Sequence, residues 1–69
     1  MNNKQQWRVQ KHNTKGQTIT SGTINFYECM QGLVQYFLTD DDTVKVIVFE
    51  WESYAKEWVI VRELRPVHH

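Results

Sequence analysis

VKVIVFEW, at positions 44–51, is the stretch of the chain with the strongest preference for β structure. Six of its eight residues are β-branched or aromatic, and such side chains pack well on a pleated sheet. A second run of this kind, EWVIVREL at 57–64, follows after the short segment ESYAK. Two such runs joined by a short connection predict an antiparallel hairpin.

The register of this hairpin sorts its side chains onto two faces. A four-residue loop at 53–56 would pair Trp51 with Trp58, Glu50 with Val59, Phe49 with Ile60 and Val48 with Val61. Alternation then gives one face Val44, Val46, Val48, Val59 and Val61, and the other face Ile47, Phe49, Trp51, Trp58, Ile60 and Leu64. Both faces are apolar, so each of them needs a cover.

Upstream of the hairpin, apolar residues recur with the spacing of one helix face. They are Phe26, Cys29, Met30, Leu33, Val34, Phe37 and Leu38, and they predict a helix over 26–38 with this stripe buried. Asn25 is the predicted N-cap, and Glu28, three residues later, would complete a capping box. The three aspartates at 40–42 are expected to form a solvated turn after the helix, because carboxylates are unfavourable at the negative end of its dipole.

The first third of the chain is polar and allows two structures. Segments 6–12 and 17–23 flank the sequence NTKG at 13–16, which suits a type I turn with its glycine in the left-handed conformation. This hairpin would place Trp7, Val9 and Ile19 on one face, and Arg8, Gln10, His12, Thr18 and Thr20 on the other. The alternative is a disordered arm over residues 1–17, because their apolar content is low.

The element order is β-β-α-β-β, which predicts an α+β domain whose antiparallel sheet carries one amphipathic helix on one face. A chain of 69 residues is expected to form one domain over 1–69, with disordered tails at 1–5 and 66–69. Lys plus Arg equals Asp plus Glu at 8 each, so the net charge does not indicate a nucleic-acid or membrane partner. One cysteine allows no internal disulfide, which favours a reducing compartment, the cytoplasm.

One helix cannot cover both apolar faces of the sheet, since about 13 residues span only roughly 20 Å. We expect the uncovered face to be the interface of a homodimer or the contact with another protein. If the helix lies on the valines, the interface residues are Phe49, Trp51, Trp58 and Ile60, since clustered aromatic side chains are typical of interface hot spots. The alternative is that the sheet twists strongly and the first hairpin or the tail folds over these residues, so that they belong to the core of a monomer.

The predicted function is a non-catalytic protein-interaction module that acts as an adaptor or as a small inhibitor of a larger protein. No cofactor, metal site or catalytic group is expected. Cys29 lies on the helix stripe with no histidine at helical spacing, so it is expected to be a buried structural residue. The aspartates at 40–42 lack the glycine and glutamate spacing of a calcium-binding loop.

The alternative function is nucleic-acid binding by the first hairpin. Residues 1–24 carry four bases and no acid, although the whole chain is neutral. In this hypothesis Trp7 stacks on a base, while Arg8, Lys11 and Lys15 contact phosphates. So few phosphate contacts predict a modest, salt-sensitive affinity unless the protein dimerises.

Overall fold

A computed structural model describes residues 5–67 as four strands and one helix. The elements are β1 (Trp7–Asn13), β2 (Thr18–Thr20), α1 (Tyr27–Leu38), β3 (Thr43–Glu52) and β4 (Glu57–Leu64). The four strands form one antiparallel sheet in the order β2-β1-β3-β4, with α1 packed against it, which confirms the predicted α+β class and element order. Of the predicted tails, residues 1–4 and 68–69 lie outside the described residues, whereas Gln5 donates a hydrogen bond of 2.7 Å to Glu50.

The first strand is an interior strand of the sheet, so the alternative of a disordered arm over residues 1–17 is wrong. β1 pairs with β2 on one side and with β3 on the other, from Trp7 opposite Glu50 to Asn13 opposite Thr43. Trp7 and Val9 are buried beneath α1. Ordering this polar segment costs conformational entropy. Burial of these two side chains, together with backbone hydrogen bonds to the strands on both sides, offsets that cost.

The helix covers the valine face of the sheet. It lies across β1 and β3, and the buried core consists of Trp7, Val9, Met30, Val34, Phe37, Val46 and Val48. Ile24, Leu33, Leu38 and Leu64 pack around the margin of this core. The core therefore draws on β1, α1 and β3.

The turn of the first hairpin forms as predicted. Gly16 has a φ of 79°, which is the left-handed conformation that glycine adopts without strain. The Asn13 side-chain oxygen accepts hydrogen bonds from the backbone N–H groups of Lys15 and Gln17 at 3.0 and 2.9 Å. The observed register also confirms the predicted sorting of side chains, because Ile19 lies opposite Lys11 while polar residues pair on the other face. β2 is shorter than the predicted 17–23.

A bulge in β4 changes the predicted register of the second hairpin. Trp51 opposite Trp58, Glu50 opposite Val59 and Phe49 opposite Ile60 are confirmed. Val48, however, lies opposite Arg62 and not Val61. The extra residue reverses the alternation beyond it, so Leu64 packs against the core on the helix side and not on the aromatic face.

A second irregularity lies in the ladder between β1 and β3. Asn13 pairs with Thr43 and His12 with Lys45, so Val44 is left without a partner in this ladder. Thr43 takes the buried position and donates a hydrogen bond of 2.6 Å to the Phe37 carbonyl, whereas Val44 is exposed. The expected place of Val44 in the core is therefore wrong.

The helix begins one residue later than predicted and without a side-chain cap. Phe26 occupies the N-cap position, and no side chain there bonds to the helix backbone. Asn25 instead accepts a hydrogen bond from the Gln6 side chain at 3.3 Å, so the predicted capping box is wrong. The buried stripe is also narrower than predicted, because Phe26 and Cys29 are exposed. Among the strands, α1 contacts only β1 and β3, so the sheet surface beneath it is too narrow to bury the whole stripe.

Candidate binding surface on the open sheet face

The sheet face opposite α1 is not covered by any element of residues 5–67, and we call it the open face. Alternation and strand register place on it Arg8, Gln10, His12, Thr18, Thr20, Lys45, Ile47, Phe49, Trp51, Trp58, Ile60 and Glu63. The four residues predicted as a protein interface all belong to this set. The structure therefore brings together Phe49, Trp51, Trp58 and Ile60 on one surface.

The open face changes in character along the strands. At one end Trp51 and Trp58 are direct cross-strand partners, with ring centres 5.4 Å apart in an edge-to-face arrangement. We call this pair the aromatic end. At the other end His12 and Lys45 are cross-strand partners, which we call the basic end. Phe49 and Ile47 lie between them on β3.

The exposure of these side chains matches that of a surface patch. Phe49, Trp51 and Trp58 are half-buried, and Ile60 is 60% exposed. Ile47 alone among the apolar residues of this face is buried. The alternative in which the first hairpin folds over the aromatic residues is not what the structure shows, because that hairpin lies beside β3 within the sheet.

Arg8 is the one side chain of the first hairpin that reaches over the aromatic end. Its guanidinium carbon lies 4.4 Å from the ring centre of Trp58, within the range of a cation–π contact. The guanidinium also donates to the Thr23 hydroxyl at 3.4 Å. Arg8 thus shelters part of Trp58 and presents a positive charge beside the indole rings.

The β1–β2 half of the open face is polar and largely bonded to itself. The Gln10 amide donates to the Thr20 hydroxyl at 3.1 Å, and its oxygen lies 2.7 Å from His12 Nε2. The Thr18 hydroxyl lies 3.4 Å from His12 Nδ1. A neutral histidine protonated on Nε2 satisfies both contacts. Such a network fixes the side chains that border the apolar half.

The structure does not bring together the four residues predicted to bind nucleic acid. Trp7 and Lys11 are buried on the helix side, Arg8 lies on the open face, and Lys15 lies in the exposed turn between β1 and β2. A phosphate backbone cannot reach all four at once. The sequence predicts that alternate residues of β1 lie on opposite faces of the sheet. It does not predict which of these faces the helix covers.

Lys11 is held by the aspartates that follow the helix. Its Nζ lies 2.6 Å from Asp40 Oδ2 and 3.0 Å from Asp42 Oδ1, and the Lys11 side chain is almost fully buried. The hydrogen bond to Asp40, followed by that to Asp42, raises the pKa of Lys11, and the hydrogen bond from Lys11 lowers the pKa of Asp40. The predicted turn forms and its aspartates stay partly exposed to solvent, but two of the three also hold the ammonium group of Lys11, which was not predicted.

The acidic residues are almost all away from the open face. Of the eight, only Glu63 pairs with an open-face residue, Ile47, and Arg65 contacts it at 3.0 Å. The other seven lie on the helix, in the turn after it, or in register with the helix side, and they are Glu28, Asp40, Asp41, Asp42, Glu50, Glu52 and Glu57. Within residues 5–67, Arg8 and Lys45 make no ion pair. The neutral chain thus carries a positive open face.

The sequence reasoning missed Lys45 as a member of this surface. It stands two residues before Ile47 on β3, so period-two alternation alone indicates its face. Its neighbour His12 could not be found in this way, because the pairing of β1 with β3 joins segments that are far apart in the chain.

No group of three or more His, Cys, Asp or Glu residues within 5–67 is arranged to hold a metal ion. No helix in this part of the chain is long and apolar enough to cross a membrane. No protein-family model, curated protein or solved structure matches the chain.

Proposed function

We propose that the protein is a non-catalytic protein-interaction module whose contact surface is the open face, and that it acts in the cytoplasm as an adaptor or as a small inhibitor of a larger protein. The observation that carries this proposal is the exposure of Ile60 beside three half-buried aromatic residues. The helix within residues 5–67 packs on the opposite face of the sheet, so it does not cover these residues. The exposed thiol of Cys29 remains reduced in the cytoplasm.

The composition of the patch supports a protein partner. Trp and Arg are the residues most enriched among interface hot spots, and here Trp51, Trp58 and Arg8 form one contact group. The side chains around them are polar and bonded to one another, as at the rim of an interface. Burial of the patch would remove apolar surface from water with little reordering, because its side chains already contact each other.

Affinity capture with matched variants tests this proposal. The tagged protein, its Trp51→Ala variant and its Tyr54→Ala variant are each incubated with lysate, and the retained proteins are compared. Tyr54 is 97% exposed in the loop between β3 and β4, so its loss controls for removal of an exposed aromatic residue elsewhere. We expect a partner, either a second copy or another protein, that Trp51→Ala loses and Tyr54→Ala retains. Equal retention by all three proteins would contradict the proposal.

A second candidate is single-stranded nucleic-acid binding on the same face, and it is favoured by the separation of charges. Arg8 and Lys45 supply positive charge without ion-pair partners among the described residues, and Phe49 and Trp51 offer rings for base stacking. This residue set replaces Trp7 and Lys11, which are buried. Two or three phosphate contacts would give a weak affinity that falls steeply with salt.

Fluorescence anisotropy with labelled single-stranded DNA and RNA separates the two candidates. Nucleic-acid binding predicts an affinity that declines as salt rises and that is lost on charge reversal in Arg8→Glu. Lys15→Glu makes the same charge change outside the open face and should reduce the affinity only slightly. An anisotropy that none of these changes affects removes the second candidate and leaves the first.

A further inference from the structure

We propose that the occupant of the open face is a second copy of this chain, turned about a two-fold axis that runs across the strands, so that the aromatic end of each copy lies on the basic end of the other. This inference rests on the proposed function and names its partner. Two sheets that pack face to face keep their strands within about 30° of each other and lie about 10 Å apart. Two relative orientations of the copies then satisfy two-fold symmetry.

The charge distribution distinguishes these orientations. An axis parallel to the strands places each end of the open face on the same end of the other copy, so Lys45 of both copies would lie at one end. That arrangement brings like charges together as they lose water. An axis across the strands exchanges the ends and places Lys45 of one copy on Trp51 of the other. The resulting contact is a cation on an indole ring, which is attractive.

The middle of the open face is also self-complementary about this axis. Ile47 and Phe49 are neighbours of the same orientation on β3, with Lys45 before them and Trp51 after them. Reversal of the strand therefore sets Phe49 against Ile47 of the other copy. On β1 it sets Arg8 against Gln10, whose amide oxygen can accept from a guanidinium. On β3 apolar residues meet apolar residues, and Lys45 and Arg8 meet a ring and an amide; on β4 the same reversal sets Ile60 against Glu63 of the other copy.

The size of the open face limits the strength of the dimer. Four strands spaced about 4.8 Å apart, with an average length of about seven residues at about 3.3 Å per residue, give a flat footprint of about 450 Å² per copy. The two copies together then bury about 900 Å², which is below the roughly 1,200–2,000 Å² of stable standard interfaces. We therefore expect a reversible dimer that is populated only at high concentration. In an interface of this size, a pair of cation–π contacts is a substantial part of the binding free energy.

Sedimentation equilibrium from about 10 µM to about 1 mM tests the dimer. We expect a monomer–dimer equilibrium in this range, weakened at least about tenfold by Lys45→Glu and unaffected by Lys15→Glu. Circular dichroism and thermal melting check that Lys45→Glu folds, and Lys45→Gln, which removes the charge without reversing it, should weaken the dimer less. A chain that stays monomeric at about 1 mM overturns the inference. The proposed function is then judged separately, by Trp51-dependent capture of a different protein.

Cross-linking tests the orientation. In a Cys29→Ser background, Lys45→Cys and Trp51→Cys variants of different mass are mixed and treated with a short bis-maleimide. The axis across the strands predicts cross-links between the two different variants and very few within either variant alone. Cross-links mainly between two copies of Lys45→Cys would require the axis along the strands and would overturn the inference. So would a yield no higher than that of a Lys15→Cys control mixed with Trp51→Cys.

Discussion

Arg8 and Trp58 are brought together across the sheet: the guanidinium carbon of one lies 4.4 Å from the ring centre of the other, although 50 positions separate them in the chain. The contact joins the polar first hairpin to the aromatic second hairpin. It therefore ties β1 to β4, which are not neighbours in the sheet. It also decides how much of Trp58 is open to a partner.

Removal of Arg8 should uncover Trp58. We expect Arg8→Ala to increase acrylamide quenching of tryptophan fluorescence and to lower the free energy of unfolding by about 0.5–1 kcal/mol, the range of an exposed cation–π contact. Arg62→Ala is the matched control, because Arg62 is exposed and lies in register with Val48 on the helix side. Equal quenching by the two variants would contradict the assigned contact.

The ion pair of Lys11 with Asp40 should make stability depend on pH at both extremes. The folded-state pKa of Asp40 lies below 3.8, so its contribution is full above that value and is lost as the pH falls through the lowered folded pKa. The folded-state pKa of Lys11 lies above 10.5, so its contribution is full below that value and is lost as the pH rises through the raised folded pKa. The pair therefore stabilises the fold across the neutral range.

Substitution of Asp40 tests this pH dependence. We expect Asp40→Asn to lower Tm near neutral pH, and the difference from the parent protein should shrink as the pH falls below 3.8. Asp41→Asn makes the same change one position away, at a residue that forms none of the ion pairs within 5–67, and should leave Tm almost unchanged. A pH-independent difference for Asp40→Asn would show that lost packing and not charge is responsible.

Gly16 should be the most sensitive glycine. Its φ of 79° is left-handed, so Gly16→Ala should lower the free energy of unfolding by about 1–2 kcal/mol, although the added methyl group meets nothing within 4 Å. Gly22→Ala is the control, because its site is equally open and its φ is not left-handed. Urea denaturation of both variants measures the difference, and a Gly16→Ala variant as stable as Gly22→Ala would contradict the turn.

Gly32 should respond in the opposite direction. It lies within α1, where a Cβ would meet nothing within 4 Å, so alanine restricts the unfolded chain without a clash. We expect Gly32→Ala to raise the free energy of unfolding by about 0.5–1 kcal/mol, measured in the same urea titration. A loss of stability would mean that this part of the helix surface contacts something that the methyl group displaces.

Local patterns predicted the elements of the fold and the two hairpins, but not the pairing of β1 with β3. The pairing of Trp51 with Trp58 depends only on a short loop, and the left-handed Gly16 depends only on its turn, so both follow from nearby residues. The position of β1 between β2 and β3 depends on contacts with residues that are far away in the chain. The segment that forms β1 has few apolar residues, yet its Trp7 is buried in the core.

The predictions for the helix stripe and for β4 were wrong because each depends on a feature that the local sequence pattern does not show. A helical stripe shows which residues share a face of the helix. How much of that face is buried depends on the width of the sheet that it contacts, and Cys29 lies outside this contact and is exposed. A bulge adds one residue to a strand without a signal in the pattern, so Leu64 changes sides. The aromatic patch was predictable because Phe49 to Ile60 precede this bulge, whereas the contribution of Arg8 to the patch was not.

The strand order has a consequence for how the chain can fold. The ladder between β1 and β3 joins residues that are 30 positions apart at Asn13 and Thr43 and 43 positions apart at Trp7 and Glu50. β1 therefore cannot gain its second partner until β3 has been synthesised. Nascent chains that end before β3 leave Trp7 and Val9 without a core, so we expect folding during synthesis to occur late and in one step.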